Sequence, residues 1–301
     1  MPMNTIDTLG ELATRSILLE VSCHPKPGLV TPFTRGAHRD MDYSLFLRSS
    51  AVLSQGFRDV AVIGYEHTDD ARTLLPVLRE RGILTERRMF EVTSGVNTQK
   101  GLVFLFYLLL GASGRAMRIG DHSVHAITAT VADITDGIVE RELGTLGSSP
   151  HGHGLTKGEK LYLEHGITGI RGEVERGLPS VTGMGLPAIR DVLGCGGTIN
   201  DAILQALFAL MTAVEDTNVI SRCGLDTYEM VKETAREIVD AGGVLTHGGK
   251  RMIAEFNEVC EKRNISPGGA ADLVSASLYL HFLDEEGIAA PHQTTVDTHI
   301  P

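Results

Sequence analysis

Residues 101–110 read GLVFLFYLLL, a stretch with no polar face. A helix at a protein surface keeps charged residues opposite its apolar stripe, so a helix apolar on every side belongs in the middle of a core. The run Leu102 to Leu110 is too short to cross a bilayer, which takes ~20 residues. The helical period continues outward from it in both directions. Ala202 to Val214 is similarly apolar, and Met252, Ile253, Phe256, Val259 and Cys260 form a stripe. Ile6, Leu9, Leu12, Ala13 and Ile17 share one helix face. Asp42 stands where it can cap a helix carrying Leu45, Phe46, Val52 and Leu53. Ala71 to Arg88 reads as another helix, with a bend expected at Pro76. Ser266 and Pro267 place a cap residue and a first-position proline before a helix expected to reach about Glu286, with Gly287 as its stop. Residues 127–134 alternate loosely, and a helix fits them equally well. There is no βαβ rhythm and no repeat. The expectation is an all-α, bundle-like single domain over residues 1–301, with its active site in loops at helix ends. Glycine-rich loops are expected at 144–154 and 194–197.

Composition narrows the functional classes. The 301 residues carry 27 Lys and Arg against 38 Asp and Glu, a formal charge of −11. That balance argues against broad nucleic-acid binding and against an anionic membrane surface. Small anionic ligands remain open to a local cluster of cations. Cys23, Cys195, Cys223 and Cys260 form no C-x-x-C pair and are read as buried reduced thiols. The N-terminus has acidic residues and no apolar segment, so no signal peptide is expected. A cytoplasmic location follows as the expectation.

Five polar segments are poorly explained as connectors. Each sets Gly or Pro beside charged or amide groups at a helix boundary, where backbone donors are free. In the first, Pro25 and Pro27 restrain Lys26, and His38, Arg39 and Asp40 follow, placed to hold a phosphate or a metal. A capped surface loop would explain this segment as well. In the second, Asn97, Gln99 and Lys100 lie between Gly95 and Gly101, directly before the most apolar helix. Capping accounts for Asn97 but leaves Lys100 at a buried helix start. In the third, Arg171 can fork a phosphate and Glu173 can hold a metal or a hydroxyl; a surface ion pair is the plain alternative. The fourth, Glu215-Asp216-Thr217-Asn218 with Arg222, follows the helix 202–214. Two carboxylates at a negative helix end call for a cation, so an Asn at 216 is expected to keep or raise stability. In the fifth, helix capping explains Ser266 and Pro267 but not Asp272 between apolar residues. His151-Gly152-His153 is a weak metal signal without paired carboxylates.

In order and wording these segments resemble the triphosphoribosyl-dephospho-CoA synthase family of citrate lyase and malonate decarboxylase prosthetic-group biosynthesis. The matching text is EVSCHPKPGLV (20–30), GAHRDM (36–41), GVNTQKG (95–101), GEKLY (158–162), GITGIRGEVERGLP (166–179), EDTN with Ser221-Arg222 (215–222) and SPGGAADL (266–273). It spans nearly the whole chain. The family usually has a histidine where this chain has Gln99, and Gln cannot exchange a proton near neutral pH.

The resemblance implies that ATP and 3′-dephospho-CoA are joined with release of adenine, through attack of the 2′-hydroxyl on ribose C1 of ATP. It implies Lys26, Arg39, Lys100, Arg171 and Arg222 for the triphosphate, with Asn97, Gln99, Asn218 and Ser266 also binding substrate. Mg²⁺ would be held among Asp40, Glu173, Asp216 and Asp272. Glu173 or Asp216 would serve as the base and His38 as an acid. Two polyanionic substrates imply a concentrated basic pocket. A downstream holo-acyl-carrier-protein transferase is the implied consumer, with no nucleic acid or membrane partner and a homodimer as one candidate state. Two other readings compete: a Mg²⁺-dependent hydrolase of nucleotide or ADP-ribosyl N-glycosides, and a nucleotide-binding accessory protein, the latter motivated by Gln99.

Overall fold

The structure, a computed structural model, describes residues 2–146 and 154–288. Among these residues thirteen α-helices form and no strand does. They are α1 Pro2–Ser22, α2 Tyr43–Glu66, α3 Leu74–Val92, α4 Lys100–Ile119, α5 Val124–Thr135, α6 Lys157–His165 and α7 Ile170–Glu175. Then come α8 Leu186–Gly194, α9 Ile199–Met211, α10 Thr217–Cys223, α11 Leu225–Asp240, α12 His247–Arg263 and α13 Gly268–Glu285. Two five-residue π-helical turns, Glu140–Gly144 and Val181–Gly185, interrupt the regular pattern.

The expected GLVFLFYLLL helix is the first half of α4. At 20 residues α4 is long and apolar enough to cross a membrane, yet 72% of its apolar window is buried inside the protein. Burial decides the matter: α4 is a core helix, packed by α1, α2, α3, α5 and α13. The approach of α2 is very close. A Cβ at Gly64 would lie 2.0 Å from the Gly111 carbonyl oxygen, and one at Gly114 would lie 2.0 Å from that of Ala61. Only glycine allows these two backbones to meet.

One contiguous apolar core runs from Ile6 to Leu283. The helices α1–α5 pack on one side of it and α8–α12 on the other. Between them α13 touches α1, α4, α8, α9 and α10. It is buried along nearly its whole length, in keeping with apolar residues spread around the helix and not gathered in one stripe.

Several boundaries differ from expectation for local reasons. A 3-10 turn at Ala71–Thr73 precedes α3, so Pro76 falls in the first helical turn, where a missing N–H costs nothing. The ambiguous residues 127–134 lie inside α5, capped by Ser123. The apolar segment expected to reach Val214 stops as a helix at Met211. Gly194 ends α8, residues 195–197 form the turn, and α9 opens on a Thr198/Asp201 capping box. Most of the 144–154 loop, with His151 and His153, lies outside the described residues. Cys23 and Cys260 are buried as expected, but Cys195 is exposed and Cys223 half-buried. Burial pushes the Cys23 thiol up to about 12, in keeping with an inert structural role.

Candidate active site

All five polar segments contribute to one cleft of about 370 Å³. It opens where the C-terminus of α1 and the loop after it meet the N-termini of α4, α7, α10 and α13. Lys26, His38, Asn97, Gln99, Lys100, Glu173, Asn218, Arg222, Ser266 and Asp272 all line it. Asp216 lies beneath it, Arg39 and Asp40 are exposed outside it, and Arg171 faces a neighbouring cavity.

Half of the motif residues hold the loops to one another. Glu215 accepts N–H bonds from Thr168 and Gly169, both 2.9 Å, and so anchors the start of α7. Arg222 donates to the Ala37 carbonyl at 2.9 Å, and the His38 ring bonds the Ser266 hydroxyl at 2.8 Å. Ser266 is therefore not a helix cap, because its hydroxyl is turned toward the first loop. Gln99 accepts from Ser49 and Ser50 on α2. Asn97 accepts from the Lys100 N–H at 3.1 Å from two residues before the N-cap position of α4, which Gln99 holds without a side-chain bond to the helix. Gly28 sits at φ +68, with a would-be Cβ only 1.9 Å from the Ile265 carbonyl oxygen. Gly28→Ala is thus expected to cost about 2 kcal/mol or more, from left-handed strain plus displacement of the loop before α13. Thermal denaturation measures this; an unchanged midpoint would show that the two loops need not touch.

The position of Asp216 corrects the reasoning from sequence. It does not terminate α9. It is the N-cap of α10, with Oδ1 accepting from the N–H groups of Asn218 (3.0 Å) and Val219 (3.2 Å). Its Oδ2 accepts from Ala270 at 3.0 Å, in the first turn of α13. The carboxylate thus faces two positive helix ends, and the repulsion argued from sequence is absent. Burial pushes its carboxyl up, while these backbone N–H groups pull it down.

The other acidic groups are also specific in their partners. Glu173 is buried and accepts from both the Ser180 N–H (2.8 Å) and its hydroxyl (2.9 Å). Glu20, which the sequence reading passed over, pairs with buried Lys26. Asp272 is half-buried on the cleft wall and has no hydrogen bond or ion pair among the described residues. Burial pushes its carboxyl well up, reinforced by Glu20 and Asp216. Among the described residues no three acidic, His or Cys side chains gather into a metal cluster. Asp40, Glu173, Asp216 and Asp272 therefore do not form the shared ligand set expected of them. Burial, and then Arg222, push the His38 imidazole down against the pull of Asp40. A shift in this direction disfavours the protonated imidazole that the acid role calls for.

Arg176 was also overlooked; it is exposed, lines the cleft and carries no ion pair among the described residues. Both missed residues stand inside the quoted motif text, Glu20 on the apolar face of α1 and Arg176 between Glu175 and Gly177. The cleft's charge is balanced: Lys26, Lys100, Arg176 and Arg222 face Glu20, Glu173, Glu215 and Asp272. The expected concentrated basic pocket is not what is built.

A polar cleft of this size, lined by Lys26, Lys100, Arg176, Arg222 and several helix N-termini, is of the kind that takes a small anionic ligand. Comparison with known proteins narrows the class. The family model CitG, described as ATP:dephospho-CoA triphosphoribosyl transferase, matches residues 6–290, and the chain belongs to this family. A probable 2-(5″-triphosphoribosyl)-3′-dephosphocoenzyme-A synthase of Malonomonas rubra is 39% identical over 92% of this chain and 88% of its own length. The synthase of that name from Klebsiella pneumoniae is 37% identical over 88% of this chain and 87% of its own. A probable one from Streptococcus mutans is 35% identical, covering 92% and 97%. No solved structure matches the chain.

Proposed function

We propose that the protein joins ATP to 3′-dephospho-CoA, giving 2′-(5″-triphosphoribosyl)-3′-dephospho-CoA and adenine. Membership of the transferase family over residues 6–290 supports this, and the convergence of all five motif segments on one cleft carries it. The 2′-hydroxyl oxygen of dephospho-CoA bonds to ribose C1 of ATP as the bond from C1 to adenine breaks. The hydroxyl proton passes to a base, and adenine leaves with a proton.

Asp272 suits the base, since the other cleft carboxylates are already engaged: Glu20 by Lys26, Glu173 by Ser180, Glu215 by Thr168 and Gly169. A carboxyl raised by burial also binds a proton readily. Glu173, locked by Ser180, is positioned to orient a ribose hydroxyl. Lys26, Lys100, Arg176 and Arg222 hold the triphosphate, with Asn97, Asn218 and the neighbouring helix ends completing the contacts. Gln99, whose Oε1 is taken by serines of α2, serves as a fixed hydrogen-bonding group. Because the cleft's own charges cancel, Mg²⁺ arriving with ATP would supply the missing neutralisation. One protein carboxylate plus phosphate oxygens would suffice to hold it, and Glu173 would be that carboxylate, leaving Asp272 free as the base. Asp216 acts by positioning α10 and α13.

The experiment is mass analysis of the products from Mg-ATP with and without dephospho-CoA. The expected result is adenine plus the triphosphoribosyl adduct, and no adenine from ATP alone. Adenine with free ribose triphosphate in the absence of dephospho-CoA would instead identify an N-glycoside hydrolase.

A further inference from the structure

A second cavity, of about 490 Å³, lies beside the cleft and shares Lys100, Gly101 and Ile170 with it. Its walls come from α3, α4, α7 and the π-helical turn 140–144, with Leu75, Leu78, Phe104 and Leu108 among its apolar residues. At its polar edge Glu142 is held between two arginines: it accepts from Arg171 Nε at 2.8 Å and pairs with Arg79. Lys100 pairs with Glu86 at 3.3 Å on the boundary between the two spaces. Lys100 is shared with the cleft; apart from it, Arg79 and Arg171 face Glu86 and Glu142.

The main cleft, at about 370 Å³, is near the low end of the ~300–1,000 Å³ occupied by one small ligand. The proposed reaction must hold two nucleotides at once. We propose that the second cavity receives the pantetheine arm of dephospho-CoA, an inference that rests on the transfer reading above. The arm is a narrow chain with a gem-dimethyl group, two amides and a thiol, suited to apolar walls with few polar groups. The diphosphate linking the arm to its nucleoside then lies at the boundary, beside Arg171. Arg171 accordingly serves the acceptor nucleotide, not the triphosphate of ATP.

Gly82 of α3 provides the test. It lines the cavity, and a Cβ there meets only Tyr107 Cδ1 at 3.6 Å and Val103 Cγ1 at 3.9 Å, ordinary contact distances. A Cβ therefore fits at this position, and Gly82→Leu is the substitution chosen to fill the cavity. The expected result is a KM for dephospho-CoA raised by about tenfold or more, with the KM for ATP unchanged. In parallel, calorimetry with 4′-phosphopantetheine should show binding to the parent that G82L loses. This second arm needs no turnover. If the parent releases no adenine, the transfer reading fails, while loss of phosphopantetheine binding in G82L still supports the cavity. Should G82L not fold, Ile83→Glu, at a 49% exposed position on the same cavity, carries the comparison. A folded variant that retains both the parent KM for dephospho-CoA and its phosphopantetheine binding overturns the proposal.

Discussion

Asp272→Asn is expected to slow adenine release by ~10²–10⁴-fold, the usual contribution of a positioned general base. The same change should raise the melting temperature without ligand. The Asp272 carboxyl is pushed up by burial, by Glu20 and by Asp216, so its charged form is disfavoured in the fold. For a carboxyl raised in this way the folded state binds more protons than the unfolded state, and stability falls as pH rises through the folded pKa. Asn removes that loss. The stability gap between variant and parent should therefore widen from acid toward neutral pH. Over the same range the parent's turnover should climb as the base loses its proton. Turnover within a few-fold of the parent and an unaltered pH profile would remove Asp272 from the chemistry.

Asp216→Asn should do the opposite to stability, lowering it by about 1–3 kcal/mol. Both carboxylate oxygens accept backbone N–H groups, from α10 on one side and α13 on the other. An amide can present its oxygen to only one of these helices, and its NH₂ then opposes the donors of the other. Relief of the buried charge offsets part of the cost. Activity should fall as well, since α10 carries Asn218 and Arg222 and α13 carries Asp272. Urea denaturation with and without Mg-ATP tests this. A variant as stable as the parent would restore the view that Asp216 is a strained carboxylate awaiting a cation.

The contrast between these two aspartates shows what the sequence could and could not convey. Helices buried on all sides, α4 and α9, announce themselves by having no polar face, and α12 by its stripe. Short α6, α7 and α10 have too few turns for a period to emerge, although the Thr156/Glu159 capping box marks α6. The five site segments were legible from residue type and glycine context. Their division of labour was not, because it depends on partners far along the chain. Asp216 meets Ala270, Ser266 meets His38, and Arg222 meets Ala37. Arg39 and Asp40 look like ligands beside His38, yet the turn that buries the imidazole sends both neighbours to solvent. Arg171 lies one helical turn or less from Glu173 but points into the adjoining cavity.

The buried helix α4 also bears on how the chain is made. Synthesis runs from the N-terminus, so residues 100–119 leave the ribosome well before α13, one of their coverings, exists. In that interval the segment presents the length and greasiness of a membrane anchor. Two charges mark it otherwise, Arg115 and Arg118 near its end. In the finished protein they donate to the carbonyls of His67 and Tyr65 at the close of α2. Charges at the end of an apolar run oppose aggregation and raise the cost of entering a bilayer, so the arginines that tie α4 to α2 are also the feature that separates this segment from an anchor.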